Sequence, residues 1–265
     1  MKGVIIGDVA GSVYEWKPAA AHTLFDSDEC CFTDDTVMST AITDALLICR
    51  ARGLAADDDI LSVLVERMQY FGRLYPDQGY SRSFRAWLQS EHPQPYGSAT
   101  NGALMRCTSA GWLADSAEEA RRLGRLTALP SHDHPDALAA ASLCAELIWR
   151  ARMGESKDAL REIVAREYEI PTLDEIRPIT AFDFTCKTTL PIAFAAFYEG
   201  SSLEEAVCLA ISLGGDTDTN AAIAGALAEA HGGVPEALWK QAETYCPPEI
   251  LSVVERWAQA TGTQV

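Results

Sequence analysis

Basic residues are scarce in this chain: 21 Lys and Arg stand against 38 Asp and Glu in 265 residues, a formal net charge of −17. No cluster of Lys or Arg offsets that charge, so a phosphate backbone would be repelled over most of the surface. Direct nucleic-acid binding is not expected, whereas divalent cations would be drawn in. Long apolar runs are missing too. None approaches the roughly 18 residues of a membrane-spanning helix, and the stretch from Met1 to Asp8 turns polar too early for a signal peptide. A soluble, cytoplasmic protein without membrane contact is the expectation. Paired cysteines are a third absence. The 8 cysteines include no C-x-x-C spacing and fall mostly inside apolar helical patterns. That excludes a zinc or disulfide framework and reads as reduced, mostly buried thiols. Repeated apolar–polar alternation of the kind a sheet requires is also lacking.

What the chain does contain is helical periodicity. Val37, Met38, Ala41, Ile42, Ala45, Leu46 and Ile48 recur every three or four positions, the buried stripe of a helix over 33–52. Similar patterns predict helices over 57–71, 82–89, 103–113, 116–127, 136–153, 156–167, 189–198, 202–212, 218–231, 235–245 and 248–261. Residues 4–12 read as the start of a buried helix carrying polar groups, and 170–178 as an irregular, proline-containing crossing. Pro, Gly, Asn and Ser punctuate residues 91–102, a loop long enough to suggest that it serves a site. No linker, low-complexity segment or composition shift divides the chain. The expectation is one all-α domain over 1–265, a single compact fold of a dozen or so helices, and a monomer.

Two helix starts carry more oxygen than a cap needs. Thr33-Asp34-Asp35-Thr36 and Gly214-Gly215-Asp216-Thr217-Asp218-Thr219-Asn220 each pack carboxylates and hydroxyls ahead of a long apolar-periodic run. One side-chain oxygen suffices for an N-cap, and an acidic first turn alone serves the helix dipole. Together, Asp34, Asp35, Asp216 and Asp218 with the hydroxyls of Thr33 and Thr219 form a hard-oxygen donor set suited to Mg²⁺, Mn²⁺ or Ca²⁺. Four carboxylates balance two divalent ions. Packed closely without metal they would repel one another, and some would take up protons.

Four segments in order carry a resemblance to a known family. They are Gly7-Asp8-Val9-Ala10-Gly11-Ser12-Val13-Tyr14-Glu15, Phe32-Thr33-Asp34-Asp35-Thr36, Ser98-Ala99-Thr100-Asn101-Gly102-Ala103-Leu104-Met105-Arg106, and Leu213-Gly214-Gly215-Asp216-Thr217-Asp218-Thr219-Asn220-Ala221-Ala222. In these the chain resembles the ADP-ribosylglycohydrolase family, which includes the dinitrogenase reductase-activating glycohydrolase and the ADP-ribosylarginine and ADP-ribosylserine hydrolases. The resemblance implies an all-α fold with two Mg²⁺ or Mn²⁺ ions held by Thr33, Asp34, Asp35, Asp216, Asp218 and Thr219. It implies that Glu15 lies near the metals, and that Asp8 hydrogen-bonds a ligand or a metal-bound water. The loop bearing Gly97, Ser98, Asn101 and Gly102 corresponds to a glycine-rich stretch lying against the diphosphate and ribose. Where many relatives have glycine, this chain has Thr100. Ser131-His132-Asp133-His134-Pro135 resembles the family's Thr-His segment, which puts His132 beside bound nucleotide and leaves His134 as a turn or cap residue. Asp183 and Phe184 precede the helix over 189–198 and could approach the site, Phe184 offering an aromatic face to adenine; the reading favoured is a capping acid and an ordinary core aromatic.

The implied activity is metal-dependent hydrolysis of the C1″ glycosidic bond of ADP-ribose attached to a protein side chain or small acceptor, reversing ADP-ribosylation. Two ions would hold the ribose hydroxyls and acidify a water, with Asp35, Asp218 or Glu15 accepting its proton. The alternative is a catalytically silent, metal-dependent ADP-ribose-binding regulatory module.

Overall fold

A computed structural model of the chain describes residues 1–15, 24–177 and 183–263. Among the described residues every regular element is helical, and the sheet-like feature is one isolated antiparallel bridge between Thr100 and Thr185. In chain order the helices are α1 (Lys2–Gly11), α2 (Asp34–Arg52), α3 (Asp57–Leu74), α4 (Arg82–Gln89), α5 (Gly102–Met105), α6 (Thr108–Leu113), α7 (Ala117–Ala128) and α8 (Pro135–Arg152). They continue as α9 (Lys157–Val164), α10 (Leu173–Ile176), α11 (Cys186–Glu199), α12 (Leu203–Ser212), α13 (Thr217–Gly232), α14 (Glu236–Ala242) and α15 (Pro248–Thr261). None of these is long and apolar enough to cross a membrane.

The axis of the fold is the crossing of α1 and α13. Gly3, Gly7 and Gly11 recur at four-residue spacing and so share one face of α1. A Cβ on Gly7 would lie 2.1 Å from the carbonyl oxygen of Ala221, and one on Gly3 2.2 Å from that of Gly225. Only residues without side chains let two backbones approach this closely. The pairing order, Gly3 to Gly225, Gly7 to Ala221 and Gly11 to Asp218, makes the two helices antiparallel. Glu229, late in α13, completes the arrangement: its carboxylate accepts the N–H groups of Lys2 at 3.1 Å and Gly3 at 2.9 Å, two of the orphan donors of a helix start. The end of α1 therefore lies beside the start of α13, where Thr217 Oγ1 donates to the Gly11 carbonyl at 2.8 Å.

Asp8, near the end of α1, docks α2. Its carboxylate accepts Thr33 N at 2.9 Å, Thr33 Oγ1 at 2.6 Å and Thr36 N at 3.0 Å. Farther along α2, the buried Asp44 accepts Arg67 of α3 and Arg256 of α15, each at 2.6 Å, tying three helices together. One hydrophobic core runs through the molecule, with Trp257, Phe194 and Phe197 among its fully buried side chains.

Three of the departures from the expected elements have a local cause. The helix expected over 103–113 is two pieces, because the Cys107 N–H and thiol both turn to the Leu104 carbonyl, at 3.3 and 3.1 Å, and the ladder breaks there. Residues 173–176 of the expected irregular crossing form α10 behind a Thr172–Glu175 capping box; position 178 lies outside the described residues. Helix α11 begins at Cys186, earlier than expected, because the Cys186 N–H is held by Ala99 O at 2.9 Å and Asp183 accepts Thr185 N at 2.8 Å. Of the cysteines, Cys31 is exposed, Cys208 half-buried and the other six buried, and all are free thiols.

Candidate active site

The two acidic helix starts meet where α1 delivers Asp8. Thr33 is the N-cap of α2 and Asp216 the N-cap of α13, so Asp34, Asp35, Asp218 and Thr219 all lie in first turns, where helix dipoles favour negative charge. The starts are cross-linked: Thr219 Oγ1 donates to Asp35 Oδ2 at 3.1 Å, and Thr33 Oγ1 lies 3.4 Å from Asp218 Oδ2. Asp8, Asp35 and Asp218 each bring a carboxylate oxygen within 4.8 Å of the others, as do Glu15, Asp216 and Asp218. Asp218 belongs to both groups.

This cluster can hold a metal ion. Its donors are hard oxygens, and Asp35 Oδ1 is buried without any hydrogen-bond partner. A buried carboxylate oxygen left unpaired is costly in a folded protein unless something else satisfies it. The electrostatics agree. Burial, then the carboxylates of Asp8 and Asp216, push Asp34 up to about 8. Burial raises Asp35 and Asp218 well above the usual carboxylate range, reinforced for Asp35 by Asp8 and Asp34 and for Asp218 by Asp216 and Asp35. Asp8 and Asp216 are raised as well, burial again outweighing the hydrogen bonds they accept. Groups with like charge packed this tightly either share protons or share cations.

The carboxylates line a cavity of about 310 Å³, within the usual range for small-molecule sites. Glu15, Asp34, Asp35, Asp216, Asp218, Thr219, Asn101, Gly102 and His132 all line it, so most of the residues singled out from sequence converge on one space. Thr33 and Asp8 lie behind the walls. Asp8 is fully buried with both oxygens engaged by α2, so it braces the first turn of that helix and does not line the cavity. Gly97 and Ser98 are outside the walls, and the Gly97 N–H is given to Asp133 Oδ1 at 2.6 Å. Asn101 joins the loop to the acidic cluster: Nδ2 donates to Asp216 Oδ2 at 2.5 Å and to Thr189 Oγ1 at 3.2 Å. A Cβ on Gly102 would stand 3.2 Å from His132 Nε2, so the glycine lets the imidazole pack flush on the loop. His134 caps α8, accepting the Asp136 N–H on Nδ1 at 3.2 Å.

Several wall residues were not among the candidate site residues. Phe184, expected as a core aromatic, is 42% exposed and lines the cavity, its carbonyl accepting Asn101 N at 2.6 Å. Gly79, Ser81, Phe84 and Arg106 also belong to the walls. The first three come from α4 and the turn before it, a segment with only generic amphipathic character. A larger cavity, about 510 Å³, shares Asp216 and is walled mainly by apolar side chains such as Tyr168, Pro191 and Ile192. Most of the acidic cluster faces the smaller one.

A cavity lined by carboxylates that could hold a cation suits a polar, hydroxyl-bearing substrate. Known proteins sharpen this. The chain is similar to the ADP-ribosylhydrolases ARH3 of Bos taurus and Homo sapiens, at 25% and 26% identity, over 95% of this chain and 90% of each relative. A solved structure of an ADP-ribosylglycohydrolase-related protein complex has the same fold, with a TM-score of 0.70 at 23% identity over 98% of this chain and 95% of that one. Residues 1–264 match the sequence profile of the ADP-ribosylglycohydrolase family. With both acidic helix starts, the Asn101 loop and the all-α frame inside that match, the chain belongs to the ADP-ribosylglycohydrolase family.

Proposed function

We propose that this protein is a hydrolase of the C1″ glycosidic bond of ADP-ribose conjugates and that it depends on a divalent cation. The observation that carries the proposal is the convergence of carboxylates from two helix starts in the wall of one cavity. The names of the curated relatives, ADP-ribosylhydrolases, support the substrate class. Its partners would then be ADP-ribosylated proteins or small ADP-ribose conjugates.

Thr33, Asp34, Asp35, Asp216, Asp218 and Thr219 are the residues that would hold Mg²⁺ or Mn²⁺, the carboxylates supplying charge for two ions. When bound there, such ions supply Lewis acidity that orients the ribose hydroxyls and acidifies water. The remaining work falls to the chain itself. Asn101 keeps Asp216 in place through its amide, and Thr219 does the same for Asp35 through its hydroxyl. Glu15 is half-buried in the cavity wall within reach of Asp216 and Asp218. It is the carboxylate we assign to accept the proton of the attacking water, with Asp35 and Asp218 as the other candidates. In the net reaction water's oxygen bonds to C1″, the C1″–acceptor bond breaks, and the acceptor leaves with a proton.

The test is a linkage panel. Arg-, Ser-, Asp- and nucleotide-linked ADP-ribose are incubated with the protein, with and without Mg²⁺ or Mn²⁺, and products are identified by mass spectrometry. Free ADP-ribose from at least one linkage, only when cation is present, is the expected result. Binding that leaves every conjugate intact would mean the silent regulatory module instead. Release of AMP or ribose phosphate would mean phosphohydrolase chemistry, and either outcome overturns the proposal.

A further inference from the structure

Tyr80 is 3% exposed, and its hydroxyl is buried without a hydrogen-bond partner. The rest of the residue is fixed. Arg85 Nε donates to its carbonyl at 3.0 Å, its ring centroid lies 5.7 Å from that of Phe84, and Phe84 in turn stacks on Trp87 at 5.4 Å. Its chain neighbours Gly79 and Ser81 both line the cavity that holds the acidic cluster. A phenol packed in this way can swing its O–H bond but cannot leave, and a buried donor with nothing to donate to is rare and costly in a folded protein.

The acceptor on that side is Asp34. Gly79 has a φ of 88°, and a Cβ there would stand 3.3 Å from Asp34 Oδ1, so the turn that carries Tyr80 runs against this carboxylate. Burial, then the Asp34 charge, push the ionisation of the phenol upward, and the hydroxyl keeps its hydrogen at neutral pH. Asp34 for its part lacks what the other carboxylates of the cluster have. Asp35 accepts Thr219 Oγ1, Asp216 accepts Asn101 Nδ2, Asp218 accepts Thr219 N at 2.7 Å, and Asp8 accepts three donors from the start of α2. Among the described residues, no other residue donates to the Asp34 carboxylate. A donor without an acceptor stands beside an acceptor without a donor.

We infer that Tyr80 is a positioning residue for Asp34, its hydroxyl donating to the Asp34 carboxylate when that carboxylate binds a cation. A carboxylate that gives one lone pair to a cation keeps others for a hydrogen bond, and a donor placed there fixes its orientation and tunes its affinity. The inference rests on the cation dependence proposed above and not on the identity of the substrate. It also accounts for the hydroxyl at a position where an aromatic ring alone would fill the space, since the oxygen does nothing for packing.

Tyr80→Phe removes the oxygen and keeps the ring. In chelator its Tm is expected to equal or exceed that of the wild type, because the hydroxyl that is lost had no partner. Its affinity for Mg²⁺ or Mn²⁺, measured by calorimetry, is expected to fall about tenfold, the lower end of what removing a group that braces a metal ligand does. Adding cation to the wild type is expected to give a tyrosine ultraviolet difference spectrum, a red shift as the phenol gains an acceptor, which is missing from Tyr80→Phe. A Tyr80→Phe protein less stable than wild type in chelator would show that the hydroxyl already serves the fold, and overturns the inference. Unchanged cation affinity in Tyr80→Phe, or the same difference spectrum from both proteins, overturns it as well and leaves the cation reading standing. A wild type that binds neither Mg²⁺ nor Mn²⁺ overturns the cation reading and the inference with it.

Discussion

Asp35 concentrates the conflict between stability and function in one side chain. One oxygen accepts Thr219 Oγ1 at 3.1 Å, and the other is buried with no partner at all. Burial and the neighbouring carboxylates of Asp8, Asp34 and Asp216 disfavour its charged form, which is the form a cation needs. Replacing it with the isosteric amide keeps the shape and removes one charge. In chelator at pH 8 we expect Asp35→Asn to be more stable than wild type by on the order of 1–3 kcal/mol, a rise of several degrees in Tm for a domain of this size. The same variant should lose cation-dependent stabilisation and turnover. Trading stability for activity in this way is common where a site is built on strained electrostatics. An Asp35→Asn protein that still gains Tm on adding Mg²⁺ or Mn²⁺, and still turns over, would remove Asp35 from the site.

Elements explain why some of this was legible in the sequence and some was not. The acidic residues were readable because they sit at helix starts, where local capping chemistry sets a baseline and Asp34, Asp35, Asp216 and Asp218 exceed it. Periodicity likewise gave the long helices to within a few residues, such as α2 and α13. Phe84 was not recognisable as a wall, Arg106 was only the last residue of a motif, and Phe184 was read as core more readily than as a face of the site, because their facing is decided by how α4, α5 and the start of α11 pack, which no local pattern encodes. The break at Cys107 was hidden for the same reason, since 103–113 keeps helical period through it. The α1–α13 crossing lies between these cases: the glycine spacing is visible, and its meaning appears only when Ala221 and Gly225 are opposite. With a Cβ on Gly7 only 2.1 Å from the Ala221 carbonyl oxygen, the helices cannot keep their separation. Gly7→Ala is expected to cost at least about 3 kcal/mol, the upper range for overpacking because backbone must move. Cation binding should fall with it, because α1 carries Asp8 and α13 carries Asp216 and Asp218. Gly232, with open space around it, is the control, and Gly232→Ala should be neutral or slightly stabilising. Gly7→Ala with wild-type Tm and wild-type cation affinity would show that the crossing does not hold the site.

At the scale of the whole molecule, a net charge of −17 and a buried carboxylate cluster lead us to expect a stability that depends on both pH and cations. The raised groups, Asp8, Asp34, Asp35, Asp216 and Asp218, bind protons more tightly in the folded chain than in the unfolded one. Their contribution is therefore complete below the ordinary carboxylate range near pH ~4 and is lost as pH rises through the raised values, which for Asp34 is about 8. Between pH 5 and 9, Tm in chelator should fall steadily. Saturating Mg²⁺ or Mn²⁺ replaces the protons with charge that does not titrate, so the fall should flatten and the gap between the two curves widen with pH. Cation binding must then release protons, which calorimetry in two buffers of different ionisation enthalpy would register as a difference in apparent heat. The general acidity of the surface pulls the same way but acts through long-range repulsion, which salt screens within a Debye length of about 8 Å at physiological ionic strength. Adding monovalent salt should accordingly raise both curves together and leave the gap between them. Parallel curves across pH 5 to 9, with no proton release on titrating cation, would mean that the cluster holds its protons and not a metal.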